Sequence, residues 1–104
     1  METPVRISFQ GSTPSEALSN LISEHLETLE RLHGRLTSCQ VVVQVPDRHH
    51  RTSNQFRVGL LLHRRGRDIV AGKGNAKDQG HADVYAALRD SFDSAERQLE
   101  ELER

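Results

Sequence analysis

At 104 residues, with a net charge of −1, 35% hydrophobic and 28% charged residues, the chain is sized for one domain over 1–104 with a single core. No apolar run approaches the roughly 20 residues of a membrane helix. Residues 1–10 lack a basic segment followed by an apolar one, and the lone Cys39 excludes an internal disulfide, so a reducing cytoplasm is the expected compartment.

Val5, Ile7 and Phe9 alternate with Arg6 and Ser8, the period of a half-buried strand. Thr13-Pro14-Ser15-Glu16 then reads as a helix start, with Thr13 as the cap, Pro14 in the first helical position and Glu16 completing a capping box. Leu18, Leu21, Ile22, His25, Leu29 and Leu32 form one apolar stripe, and Gly34 supplies the stop. Cys39, Val41, Val43 and Val45 alternate with Ser38, Gln40, Val42 and Gln44 as a second strand that Pro46 ends. After a polar, basic loop over 47–54, a third strand turns Phe56, Val58, Leu60 and Leu62 inward and Arg57, Gly59, Leu61 and His63 outward. Arg65-Gly66 marks a turn. A fourth strand runs from about Arg67 to Lys73, followed by a loop over 75–80. The last helix starts near Ala82, with Val84, Leu88, Ser91, Phe92, Ala95, Leu99 and Leu102 on one stripe.

The order is β-α-β-β-β-α, an α+β fold. Its simplest packing is a four-stranded mixed sheet with both helices on one face, resembling a double-stranded-RNA-binding domain. A right-handed crossover makes the first two strands parallel and leaves the other pairs antiparallel. The opposite sheet face then carries Arg6, Gln40, Gln44, Arg57 and His63, an open polar surface that invites a partner.

The net charge hides a strong asymmetry. Arg48, Arg51, Arg57, Arg64, Arg65, Arg67, Lys73 and Lys77 face a single acid, Asp68, so residues 48–77 carry +7 and the remainder −8. Twelve of the 14 basic residues are arginine, which grips phosphate bidentately. His49, His50 and His63 add charge to this block at mildly acidic pH. A basic block on an acidic domain is an electrostatic footprint for nucleic acid, or else a solvated surface balanced by acidic helices. Four aromatic residues and no Trp argue against a base-stacking platform.

No catalytic constellation has convincing spacing, and the chain reads as a non-enzyme needing no cofactor. Ala71-Gly72-Lys73-Gly74 lacks the GxxxxGK[ST] pattern of a phosphate loop. In Arg48-His49-His50-Arg51 two adjacent histidines between arginines are poorly arranged for one cation, and no metal site is expected. His25 on the apolar stripe reads as packed, and Cys39, inward with Val41 and without a base, as a structural thiol.

Three segments carry a family resemblance: Leu29-Glu30-Arg31-Leu32, the strand Arg35-Leu36-Thr37-Ser38-Cys39-Gln40-Val41-Val42-Val43, and above all the last helix. There Asp83-Val84-Tyr85-Ala86-Ala87-Leu88-Arg89-Asp90-Ser91-Phe92-Asp93, followed by Arg97-Gln98-Leu99, resembles a D-hydrophobic-Y-x-A-I-x-D-A-hydrophobic-D signature. The chain resembles the ribosome hibernation promoting factors and ribosome-associated inhibitor A proteins (sigma-54 modulation proteins), and its Pro46-Asp47-Arg48-His49-His50 loop is similar to their histidine-rich branch.

In that helix Val84, Leu88 and Phe92 are expected in the core, Tyr85 at its edge with a buried ring, Ala86 and Ala87 at a close helix-sheet approach, and Asp83 at the positive helix end. The resemblance implies a protein that binds the small ribosomal subunit through rRNA in the messenger and transfer RNA channel, and shuts off translation in stress or stationary phase. It adds Arg31, Arg35, Arg89 and Arg97 to the candidate RNA contacts of the basic block. No membrane or small-molecule partner is implied, and the chain is expected to be monomeric without the ribosome.

Two departures qualify the resemblance. The chain ends Glu100-Glu101-Leu102-Glu103-Arg104 where relatives continue basic, and its turn is His63-Arg64-Arg65-Gly66 where theirs is often a neutral Pro-Gly. It also carries neither the dimerising nor the cold-shock-like C-terminal domain of some relatives, so it is not expected to pair ribosomes through its own tail. Two other readings stay open: a regulatory protein-protein module that has lost ribosome binding, and a general binder of structured RNA.

Overall fold

Strand alternation and helical stripes resolve into two layers in the computed structural model, which describes residues 3–45, 56–72 and 83–103. The elements are β1 (Val5–Gln10), α1 (Glu16–His33), β2 (Ser38–Gln44), β3 (Arg57–Arg64), β4 (Arg67–Ala71) and α2 (Val84–Leu102). The sheet order is β1-β2-β3-β4, with β1 and β2 parallel and the other pairs antiparallel. This is the expected β-α-β-β-β-α mixed sheet.

Register explains which face each residue takes. Val5 lies beside Cys39, Leu62 and Ile69, and Ile7 beside Val41, Leu60 and Ala71, so one sheet face is continuously apolar. Leu18, Ile22, Leu26 and Leu29 of α1 and Ala87, Leu88, Phe92, Ala95 and Leu99 of α2 cover it. His25 is packed as expected, its ring stacked on Phe92 at a centroid distance of 4.8 Å. Truncating a core leucine such as Leu62 costs about 2–5 kcal/mol through lost transfer energy and the cavity left behind.

Several boundaries differ from the sequence expectations. The cap of α1 is Ser15, not Thr13: its Oγ accepts from the Leu18 N–H at 3.2 Å, so Pro14 precedes the helix instead of opening it. Near the end of α1 the stripe passes from Leu29 to His33, four residues on, and Leu32 is left 58% exposed. Leu26, absent from the expected stripe, is fully buried. β4 stops at Ala71 because Gly72 adopts φ +68, a conformation that costs other residues strain, and a Cβ there would strike Val58 O and Ser91 Oγ. Ser91 sits on an apolar stripe because its hydroxyl donates to the Val58 carbonyl, beyond the end of β4. Asp83 caps α2, accepting from the Tyr85 N–H at 2.9 Å, and the helix begins at Val84. The expected loops over 47–54 and 75–80 lie outside the described residues.

Candidate RNA-binding surface

The β3–β4 hairpin concentrates charge by its register. Arg64 lies directly across from Arg67, and Arg65 with Gly66 at φ +94 forms the two-residue turn between them. The hairpin's one acid is already engaged, since Asp68 Oδ1 lies 3.0 Å from His63 Nδ1. Like charges opposed across strands repel, so the tip favours an anionic ligand. One Arg64 Nη atom is shielded from solvent without a hydrogen-bond partner among the described residues.

Both helices end beside this hairpin. The Thr37 N–H donates to the His63 carbonyl at 2.8 Å, which brings the α1–β2 connection to the end of β3. Arg31 in the last turn of α1 and Arg35 just beyond it, both exposed, therefore share this end of the molecule with Arg64, Arg65 and Arg67. Gln98 of α2 donates to the Val70 carbonyl at 2.9 Å, so exposed Arg97 also belongs to this half. Arg35 and Arg57 each have an intramolecular partner.

The remaining candidates are not gathered there. Arg57 begins β3, seven residues from Arg64 and so about 23 Å away along an extended strand. Arg89 lies exposed in the first half of α2, next to Ser91, which contacts Val58 of β3. Arg48, Arg51, Lys73 and Lys77 lie outside the described residues, as do His49 and His50.

The open sheet face carries the expected residues but is less uniformly polar than a face of those side chains alone. Arg6, Gln40, Gln44, Arg57 and His63 do share it, but Val42, Leu61 and Val70 occupy its middle, and its arginines among the described residues are Arg6 and Arg57 alone. A shallow depression over Gly59 and Gly72 is walled by Gln10, Gln40 and Gln44. Charge thus concentrates on the hairpin end and not on the sheet face.

Tyr85 corrects another expectation. Its ring is 52% exposed instead of buried at the core's edge, on the same flank of α2 as Arg89 four residues on. The motif position read as structural thus faces outward beside a cation, which only the helix's observed rotation could reveal.

The acidic end of α2 has a structural use. His33 Nδ1 lies 2.9 Å from Glu103 Oε1, and His33 Nε2 lies 3.5 Å from Glu96 Oε1. Burial lowers the His33 pKa, but the hydrogen bond to Glu103 and the nearby Glu103 and Glu96 carboxylates outweigh it and raise the pKa above the ordinary imidazole value.

Comparisons with known proteins agree with this architecture. Residues 5–104 match the model of the Sigma 54 modulation protein / S30EA ribosomal protein family. The chain is 33% identical over 95 residues to a ribosome hibernation promoting factor of Azotobacter vinelandii, covering 91% of this chain and 78% of that protein. Its fold is similar to a ribosomal subunit interface protein from Coxiella burnetii (TM-score 0.77, 16% identity, 97% of this chain and 98% of that one). It is also similar to the Thermus thermophilus Protein Y N-terminal domain (TM-score 0.73, 18% identity, 96% and 98%). With the family signature running through α2 and the whole described fold aligned, the chain belongs to the Sigma 54 modulation protein / S30EA ribosomal protein family.

Proposed function

We propose that this protein is a ribosome-associated translation inhibitor, a non-enzymatic hibernation factor that binds the small ribosomal subunit through rRNA in the messenger and transfer RNA channel during stress or stationary phase. The observation that carries the reading is the Arg64–Arg65–Arg67 hairpin tip, whose one acid, Asp68, is engaged by His63 and which has no other ion-pair partner among the described residues, joined by Arg31 and Arg35, in a member of this family. Arginine forks placed on a rigid hairpin and at a helix C-terminus suit a folded phosphate surface read largely by shape. Exposed Tyr85 beside Arg89 supplies a ring and a cation for an unpaired base at the other half of α2. The names of the related proteins, a hibernation promoting factor and a subunit interface protein, support the same partner.

The test is sucrose-gradient sedimentation with purified subunits and whole ribosomes at low and physiological salt. The expected result is co-migration with small subunits that fades as salt rises, and its loss in an R64E/R65E/R67E variant that still folds. Unchanged co-migration of that variant would remove the hairpin from the site. Wild-type protein left at the top of every gradient would favour the protein-protein module instead, and equal affinity for naked duplex RNA the general RNA binder.

A further inference from the structure

We infer that His33, Glu96 and Glu100 form a site for a divalent transition ion of the zinc type at the joined C-terminal ends of α1 and α2. Glu96 and Glu100 are four residues apart, so both carboxylates stand on one flank of α2. His33, in the last turn of α1, is brought against that flank, and its side chain is only 7% exposed. One ligand atom from each of the three lies within 4.8 Å of the others. Tetrahedral ligands about 2.0–2.2 Å from zinc stand about 3.3–3.6 Å apart, so the His33 Nε2–Glu96 spacing of 3.5 Å already fits and only the exposed Glu100 carboxylate must close in.

The second observation is the state of the histidine itself. Nδ1 is committed to Glu103 at 2.9 Å, whereas Nε2 is shielded from solvent with no hydrogen-bond partner among the described residues. An imidazole nitrogen shielded from solvent, with only the long 3.5 Å contact to Glu96 and facing two carboxylates, is an arrangement that a cation can complete. Glu103 then plays the part of the outer carboxylate that orients a metal-bound histidine and fixes its tautomer. One imidazole nitrogen with two carboxylate oxygens is a donor set for borderline ions; magnesium and calcium take oxygen alone. Two carboxylates and a neutral ring balance a charge of +2, and the negative ends of both helix dipoles point the same way.

The test is calorimetric titration of chelator-treated full-length protein with zinc chloride alone, followed by thermal melting with and without zinc. One ion per chain is expected. Affinity should fall at least ten-fold in E100Q, whose exposed side chain makes it the variant least disruptive to folding, and further in H33Q, with H49Q/H50Q binding as wild type. Circular dichroism checks that each variant is folded. The site is refuted if folded wild-type protein takes up no zinc, if E100Q and H33Q bind as tightly as wild type, or if binding is lost in H49Q/H50Q. A zinc-dependent rise in melting temperature that E100Q abolishes would place the ion between the two helices.

Discussion

Cys39 is 1% exposed on β2, between Val5 of β1 and Leu62 of β3. Burial, with a smaller push from the Glu30 carboxylate, raises its thiol pKa to about 11. Below pH 9 the thiol is protonated in both folded and unfolded chains and adds nothing to the pH dependence. Between pH 9 and 11 the unfolded chain releases a proton that the folded one retains, so stability falls as pH rises, by about 2–3 kcal/mol in total. Denaturant melts of wild type and C39V at pH 8.5 and pH 11 should differ by that amount in their loss, with C39V losing less. At pH 8 the native thiol should resist alkylation, reacting no faster than the protein unfolds; rapid native alkylation would contradict a structural role.

Glu30 shows how one side chain can close the connections between elements. Its carboxylate accepts from the Leu36 N–H at 2.9 Å and from the Thr3 hydroxyl at 2.8 Å, while its carbonyl accepts the Gly34 cap N–H at 3.0 Å. The segment before β1 and the turn between α1 and β2 are thereby tied to the helix end. Replacing Glu30 with alanine strands a donor at Leu36 and should cost about 2–3 kcal/mol; glutamine, which keeps one acceptor, should cost about 1 kcal/mol. Urea denaturation measures both, and E30Q should also lower the Cys39 pKa by removing its negative neighbour. This tie was not legible in the sequence, where Glu30 reads only as part of a family match. The sheet itself was legible because alternation in Val5–Gln10, Ser38–Gln44 and Arg57–Arg64 matches a period of two that burial enforces. The ends of elements were not, because they depend on local partners. Ser15 outcompeted Thr13 for the cap, and Gly72 ended β4 through its φ and its contact with Ser91. The site was legible in part: Arg64, Arg65 and Arg67 are close in sequence and stay together, whereas their meeting with Arg31 and Arg35 required the Thr37–His63 bond. His33 meets Glu96 across 63 positions, a separation at which no spacing rule finds a cluster.

For the molecule as a whole, charge is sorted by end and face. Arg31, Arg35, Arg64, Arg65 and Arg67 share the hairpin end, while on the α2 side of that same end Glu96 and Glu103 hold His33. The −1 total therefore says little about the field a ribosome would meet, because phosphates approaching the hairpin face cations at short range and acids at longer range, where salt screens them within about 8 Å. It follows that affinity should carry a salt dependence out of proportion to the net charge. Each arginine that neutralises a phosphate adds roughly one counterion to the slope of log affinity against log salt. An R64Q/R65Q/R67Q variant should thus lower that slope by about 2–3, and adding R31Q/R35Q should lower it further. Q40A/Q44A on the open sheet face should leave it unchanged if the hairpin end carries the contact. Fluorescence titration of labelled protein against small subunits across a salt series measures these slopes. If Q40A/Q44A on the sheet face altered the affinity more than R64Q/R65Q/R67Q on the hairpin, the binding surface would be the sheet, with the arginine end serving only to steer approach.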